Sequence, residues 1–329
     1  MIAIFGASVT NQKTGYAIKL KNELSEPIQI FGYGGMHLYN AGVCYIDKVV
    51  NIAPKYCFID WFSTAYLEMN KNTTDYIDAL IFKLTNINCK VIFLFFLHEN
   101  HDDRIEFYEY CKSYLDKKNT TYFDLNDYLS YSPDLLRDYV HTTELGSIKY
   151  SNVINQLFGE RRDTIRLASN VHKNQYCNIQ KIDLNNAYST GFRIKGEAHI
   201  IGFLMTIGPH SGIVKITTNG ETNSFNTWDQ WCYYYRKHFS ISFKLKDIAN
   251  IKISNEEFDT SFCKNIDYNF KEEKKKIILH AIYYIGTLNI ESSTIENMIS
   301  KIKFKHWKTM SKKRELTKRS KKGIKRILK

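Results

Sequence analysis

The chain opens with the stretch Ile2–Thr10, which reads IAIFGASVT. Four apolar residues of the kind found in buried strands are followed by two small residues and then by Ser8. Small residues let the backbone turn sharply, so this stretch predicts a strand that ends in a tight turn. The Ser8 hydroxyl would then lie at the tip of that turn, at the edge of a sheet.

Apolar runs of strand length alternate with segments of helical length through the first half of the chain. The apolar runs predict strands at Ile2–Phe5, Ile28–Phe31, Tyr56–Ile59, Val91–Phe96 and Tyr122–Phe123. The segments between them predict helices at Leu38–Val50, Thr74–Leu84, Asp103–Leu115 and Leu145–Leu157. This alternation favours a parallel sheet with helices on both faces, and active sites of such sheets lie at the carboxyl ends of the strands.

The pattern changes after about Gly159 to short strands with alternating side chains. These are predicted at Ala198–Thr206, Gly212–Thr218, Phe239–Leu245, Ile251–Ser254 and Lys276–Ile285. The pair Asn219-Gly220 separates two of them and is a strong hairpin signal. We therefore predict an α/β domain over residues 1–159, an antiparallel β-sandwich over residues 160–292 and a basic helical tail over residues 293–329.

Positive charge is concentrated at the end of the chain. Residues 301–329 hold 14 of the 46 lysines and arginines but one of the 34 acidic residues, so this segment carries +13 and the rest −1. A nearly neutral body argues against a fold that reads nucleic acid. Ile324, Ile327 and Leu328 recur among the basic residues. This favours attachment to an anionic membrane surface over a solvated tail without a partner.

Cysteine usage and hydropathy suggest the compartment. The seven cysteines are scattered without a CxxC pair, which argues against a disulfide framework and a zinc ribbon. No apolar run approaches the roughly 18 residues of a membrane helix, and no signal sequence is recognisable. We expect a cytoplasmic protein, peripheral on the inner membrane face.

His98 and His101 lack a zinc-protease spacing, and we expect no metal site.

A base for Ser8 is found late in the α/β half. Asp138 precedes His141 by three residues, in a loop just ahead of a predicted helix. In such a turn the carboxylate can accept the Nδ1 proton of the imidazole and leave Nε2 facing the serine. A lone serine after a strand is more often a turn or helix-cap residue, so the candidate nucleophile depends on this pair.

Donors for an oxyanion would come from two further loops. The segment Phe31–Met36 reads FGYGGM and follows the second strand, where its backbone amides could converge with that of Ser8. After the third strand, Ser63 or Thr64 could add a side-chain donor. Each such donor contributes roughly 3 kcal/mol of transition-state stabilisation.

The order of these blocks resembles that of the SGNH or GDSL hydrolases. Gly6–Thr10 is similar to the family's first block, with alanine in place of aspartate, and Gly32–Gly35 is similar to its glycine block. Asp138-x-x-His141 is similar to its last block. The third block differs, because Phe62–Ala65 stands where the family has Gly-x-Asn-Asp.

This resemblance covers about the first half of the chain and implies a flavodoxin-like three-layer α/β/α domain. It implies a triad in which Ser8 attacks an acyl carbonyl, His141 transfers the proton and Asp138 orients His141. It also implies an oxyanion hole of the Ser8 and Gly35 amides, with Thr64 aligned to the family's asparagine. The implied activity is ester hydrolysis or acyl transfer, often of acetyl groups on sugars.

The predicted sandwich contains an aromatic run at Trp228–Arg236. We predict that Trp231, Tyr234 and Arg236 contact a glycan, although about half of such aromatics could instead belong to the core.

Our leading hypothesis is O-acyl transfer, with acetyl as the favoured group, to a bacterial surface glycan or its precursor. Acetyl-coenzyme A would be the donor, and no bound cofactor is expected. Two alternatives stay open: a glycan O-acetylesterase of the same mechanism, and a non-catalytic glycan-binding or scaffolding protein.

Overall fold

The computed structural model describes residues 1–63, 69–99, 102–184, 188–189, 191–254, 256, 261, 264 and 274–291. The chain divides into two compact units, and the first unit ends at Ile179. The predicted boundary was at Gly159, but the chain beyond it packs back on the first unit. There the Ser169 amide donates to the Lys118 carbonyl at 2.8 Å. The predicted tail and Thr64 lie outside the described residues.

A five-stranded parallel sheet forms the centre of the first unit. Its strands are β1 (Ile2–Gly6), β2 (Ile28–Gly32), β3 (Tyr56–Asp60), β4 (Lys90–Phe95) and β5 (Thr121–Asp124), in the order β2-β1-β3-β4-β5. The helices are α1 (Tyr16–Glu23), α2 (Val43–Val50), α3 (Lys71–Thr85), α4 (Asp102–Lys117) and α5 (Glu144–Arg161). The predicted parallel α/β architecture is confirmed.

The register of the central strands brings three loops to one edge. Strand β1 lies between β2 and β3, and all five of its residues are buried. Gly6 at its end is paired with Gly32 of β2 and Asp60 of β3. The loops that follow these strands therefore start side by side at the carboxyl edge of the sheet.

The helices differ from the predicted ones at their starts. Helix α1 was not predicted, because only Tyr16, Ala17 and Leu20 of its eight residues are buried. Helix α2 is preceded by a π-helical turn at Leu38–Gly42. The side chain of Asn70 caps α3 by accepting two backbone amides, so this helix begins before Thr74.

The described residues of the second unit form an antiparallel sheet of nine strands. They are β6 (Gln180–Asp183), β7 (Tyr188–Ser189), β8 (Gly191–Ile207), β9 (Ile213–Thr218), β10 (Glu221–Asn226), β11 (Arg236–Ser240), β12 (Phe243–Leu245), β13 (Ile248–Ile253) and β14 (Ile277–Glu291). The long strands β8 and β14 pair with each other, and the other edge of β8 pairs with β13, β12 and β11 in turn.

The core of the second unit is built from the sheet's own side chains. Ile194 and Phe203 from β8 lie in one cluster with Ile251 of β13 and Ile282 of β14. The sheet therefore folds around this core, in agreement with the predicted sandwich. The Asn219-Gly220 hairpin is confirmed between β9 and β10.

The predicted strand Phe239–Leu245 is two strands, β11 and β12. The break falls at Ile241, whose φ of +66° does not fit a strand. Within the described residues, no helix is long and apolar enough to span a membrane.

Candidate active site

Ser8 lies in the turn that leaves β1. A Cβ atom on Gly6 would be 2.4 Å from both the Asp60 carbonyl oxygen and the Thr10 hydroxyl, so no side chain fits there. The amide of Ala7 donates to the Asp60 carbonyl at 2.9 Å. The turn is therefore packed directly against the end of β3, and this packing fixes where Ser8 begins.

His141 links Ser8 to Asp138 through hydrogen bonds. Its Nε2 lies 2.8 Å from Ser8 Oγ, and its Nδ1 lies 3.0 Å from each carboxylate oxygen of Asp138. Asp138 Oδ1 also accepts the amides of Val140 at 3.1 Å and His141 at 2.8 Å. The Arg137 amide closes the turn by donating to the His141 carbonyl at 2.8 Å. The loop fixes the carboxylate, and the carboxylate fixes the imidazole.

The electrostatics of this loop keep Asp138 charged. Partial burial raises the pKa of the Asp138 carboxyl, but the amides of His141 and Val140 and the imidazole together outweigh it and hold the pKa below 3.8. The side chains of His141 and Asp138 are 20% and 42% exposed. The Asp138 carboxylate is therefore charged at every pH at which the imidazole can act as a base. Solvent reaches both side chains.

Gln12 joins the nucleophile turn to the histidine loop. Its Nε2 donates to the Thr142 carbonyl at 3.1 Å, and its Oε1 accepts the Thr142 amide at 3.2 Å. The side-chain amide thus bonds the backbone next to His141 in the way that a neighbouring strand would. The sequence analysis did not identify Gln12, because nothing in its local sequence distinguishes it from a surface glutamine.

A buried polar network supports the turn from below. Asp60 is fully buried and accepts the hydroxyls of Thr10, at 2.9 Å, and Ser63. Because Thr10 gives its proton to Asp60, its oxygen accepts from Tyr16 at 2.8 Å. Burial raises the pKa of Asp60 to about 6, although its hydrogen bonds oppose the shift. Ser63, expected as an oxyanion donor, instead donates to Asp60.

Gly35 lies in the loop after β2, beside the loop that carries Ser8. It is exposed, and its φ of +68° is in the left-handed region that favours glycine. A Cβ atom there would meet nothing within 4 Å, so backbone conformation and not crowding explains the glycine. The Tyr33 amide ties this loop to β1 by donating to the Gly6 carbonyl at 3.0 Å. The role of the Gly35 amide as an oxyanion donor stays a prediction.

The predicted glycan-contacting residues lie in the second unit. Trp231 and Tyr234 are 37% and 44% exposed, whereas Trp228 is buried. Arg236 pairs with Asp229, and its guanidinium carbon lies 5.4 Å from the centre of the Tyr234 ring. Lys264 Nζ lies 4.1 Å from the centre of the Trp231 ring. The aromatic run is therefore divided between core and surface, and each exposed ring has a cationic side chain over it.

The histidines after β4 do not form a metal site in the part of the chain that the structure describes. His98 is buried, and His101 lies outside the described residues. No three His, Cys, Asp or Glu side chains among the described residues are placed to hold a metal ion.

Comparison with known proteins identifies solved structures of the same fold. No family model and no curated protein sequence matches the chain. A two-domain esterase (CEX) active on acetylated mannans superposes with a TM-score of 0.62 at 9% identity, over 88% of this chain and 92% of its own. This chain shares the two-domain fold of that protein. The same esterase co-crystallised with mannopentaose gives a TM-score of 0.61 at 8% identity, over 87% and 90%.

Other solved structures are similar to about half of this chain. One is described as a putative lipolytic protein of the G-D-S-L family from Desulfitobacterium hafniense, at 15% identity and a TM-score of 0.42. It covers 47% of this chain and 98% of its own. The parallel α/β architecture that the resemblance to SGNH or GDSL hydrolases implied is confirmed by the five-stranded sheet of the first unit.

Proposed function

We propose that this protein is a serine-dependent O-acyl esterase that removes small acyl groups, acetyl in particular, from a glycan. The observation that carries the proposal is the continuous hydrogen-bonded chain from Ser8 through His141 to Asp138. Its setting on the fold of an esterase active on acetylated mannans supports the choice of ester and substrate class.

The first half of the reaction transfers the acyl group to the enzyme. Ser8 Oγ attacks the acyl carbonyl while His141 Nε2 takes its proton. The amides of Ser8 and Gly35 would stabilise the oxyanion of the tetrahedral intermediate. The C–O bond to the sugar then breaks, and the imidazolium gives its proton to the departing sugar oxygen. The products of this half are the free glycan hydroxyl and acyl-Ser8.

The second half regenerates the enzyme. A water molecule gives a proton to His141 and attacks acyl-Ser8, and the collapse of this intermediate returns the proton to Ser8 Oγ. Acetate leaves. Asp138 stabilises the imidazolium in both halves because its carboxylate is charged and lies 3.0 Å from Nδ1.

Acyl transfer differs only in the group that attacks acyl-Ser8. A sugar hydroxyl would replace water, with acetyl-coenzyme A as the first substrate. Hydrolysis is favoured because solvent reaches the side chains of His141 and Asp138, which are 20% and 42% exposed, and the similar two-domain structure is an esterase. A purely non-catalytic role would not need the Ser8–His141–Asp138 geometry.

Two predicted surfaces complete the proposal. Trp231 and Tyr234 would bind the glycan in the second unit, since exposed aromatic rings can stack on sugars. The basic segment 301–329 would bind an anionic membrane surface.

The test follows the fate of the acetyl group. Purified protein is incubated in ¹⁸O-labelled water with a chemically acetylated manno-oligosaccharide. The reaction is run with and without an unacetylated oligosaccharide as acceptor, and the products are identified by mass spectrometry. An esterase releases acetate carrying ¹⁸O at a rate independent of acceptor. Formation of acetylated acceptor, with a fall in ¹⁸O-labelled acetate, would show a transferase, and no reaction of any kind would refute the proposal.

A further inference from the structure

The loop that carries the triad also carries an exposed tyrosine. Tyr139 lies between Asp138 and His141 and is 49% exposed, more than any other large hydrophobic side chain among the described residues. Val140, the next residue, is fully buried and anchors the loop. The loop therefore buries Val140 and leaves the Tyr139 ring open to solvent.

The Tyr139 ring is held one ring away from the catalytic base. Its centroid lies 6.5 Å from that of His141 at an interplanar angle of 65°. On another side it packs against buried His98, 5.6 Å away. The ring is therefore supported by two imidazoles and remains open to solvent next to the Ser8–His141 pair.

A second tyrosine and a carboxylate extend this surface. The Glu99 amide donates to the Tyr139 carbonyl at 2.9 Å, which ties the loop after β4 to the triad loop. The Glu99 side chain accepts the Tyr131 hydroxyl at 3.4 Å. Tyr131 is 39% exposed, and Glu99 is exposed. Two open aromatic rings thus flank an open carboxylate at the rim of the site.

This combination is suited to a sugar ring. Aromatic faces pack against the apolar C–H face of a pyranose, and a carboxylate accepts its hydroxyl protons. A few polar groups among aromatic side chains are typical of sites that orient a small ligand. The negative charge of Glu99 beside charged Asp138 disfavours sugars that are themselves acidic.

We propose that Tyr139, Tyr131 and Glu99 form a sugar-binding platform that holds a neutral pyranose while its ester lies at Ser8. The platform rests on the proposed function, because it presents the substrate of the same triad. The sugar packs on the Tyr139 ring and donates a hydroxyl to Glu99. The platform selects the glycan, whereas the triad performs the chemistry.

The test compares two esters in the same enzyme. The kcat/KM of an acetylated manno-oligosaccharide is divided by that of 4-nitrophenyl acetate, which has no sugar. Tyr139→Ala should lower this ratio about five- to tenfold, whereas Tyr139→Phe should keep it within about twofold, because the ring face remains. Tyr128→Ala is the matched control: Tyr128 is 46% exposed in the same unit and its hydroxyl contacts Arg161. This control should give the wild-type ratio.

The charge of Glu99 is tested with a second pair of substrates. Wild-type protein should prefer acetylated manno-oligosaccharide over acetylated oligogalacturonate, and Glu99→Gln should reduce that preference severalfold. An unchanged ratio in Tyr139→Ala, or equal losses in Tyr139→Ala and Tyr139→Phe, would overturn the platform.

Binding without turnover separates the platform from the proposed function. In Ser8→Ala protein, saturation-transfer NMR should detect the acetylated manno-oligosaccharide, and the signal should be lost when Tyr139→Ala is added. If wild-type protein cleaves no ester but this binding is present, the esterase proposal fails and the platform stands. If esters are cleaved but binding does not depend on Tyr139, only the platform proposal fails. If no ester is cleaved and no Tyr139-dependent binding is found, both proposals fail.

Discussion

Replacing Asp138 by asparagine separates its charge from its structural role. Oδ1 of the carboxylate accepts the Val140 and His141 amides, and an asparagine oxygen can keep both bonds. Both carboxylate oxygens lie 3.0 Å from His141 Nδ1, so an asparagine oxygen can still accept the Nδ1 proton, whereas the amide NH2 group in the other position can only donate. The substitution therefore removes the negative charge that stabilises the imidazolium and one of the two acceptors that keep the proton on Nδ1.

The size of the effect follows from the geometry. The charge centres of the imidazolium and the carboxylate lie about 4 Å apart, which corresponds to about 4 kcal/mol at the effective dielectric constant of a protein surface. The 42% exposure of the Asp138 side chain brings screening by water and reduces this value. We therefore expect kcat to fall by about 100- to 1000-fold, since each 1.36 kcal/mol is about a tenfold change.

The assay pairs acetate release with thermal unfolding. Asp138→Asn should lose kcat and keep the wild-type Tm, whereas Asp138→Ala should lose kcat and also unfold at a lower temperature, because two amides lose their acceptor. Asp134→Asn is the control, since it removes the same charge from an exposed position in the same region. A kcat within tenfold of wild type in Asp138→Asn would refute the assigned role of the carboxylate.

Three further predictions concern the loops and the second unit. Gln12→Ala should lower kcat about tenfold and also lower Tm, because buried Thr142 loses the hydrogen-bond partner that positions the histidine loop; an unchanged kcat in a steady-state assay would contradict this. Gly35→Ala should cost about 1 kcal/mol of unfolding free energy through its left-handed φ and should lower kcat, as denaturant titration and kinetics would show. Burial, with a smaller effect of nearby lysines, lowers the pKa of His210 to about 3. The folded protein, in which His210 is neutral, therefore has its full stability above about pH 6.5 and loses stability as the pH falls below that value. Calorimetry should therefore show a loss of about 1.4 kcal/mol per pH unit below about pH 6 that His210→Gln removes, and equal slopes in both proteins would exclude this origin.

The five strands of the first unit could be predicted from the sequence because each is a short apolar run. Helix α1 could not, since it buries one narrow stripe and its other residues are polar. In the second unit, β8 and β14 extend beyond the predicted strands, past Gly196 and Gly286, whose positive φ values interrupt the regular alternation of side chains. Periodicity therefore identified the regular part of each long strand and missed its continuation.

The candidate site could be predicted only where its residues are close in sequence or belong to ordered blocks. The Asp138–His141 turn is local, and its relation to Ser8 followed from strand order at the sheet edge. The contacts of Gln12 and Asp60 depend on tertiary pairing across the first unit, and no local pattern reveals them. Ser63 was misjudged for the same reason, because its hydroxyl is taken by a carboxylate at the end of β3.

The most direct test of the central claim is the rate of acetate release by wild-type protein and by Ser8→Ala. Ser113→Ala, an exposed serine of α4, serves as the matched control. The account predicts that Ser8→Ala lowers kcat/KM by several orders of magnitude while Ser113→Ala matches wild type, because the Ser8 hydroxyl lies 2.8 Å from His141 Nε2. Acetate release by Ser8→Ala at the wild-type rate would contradict the account.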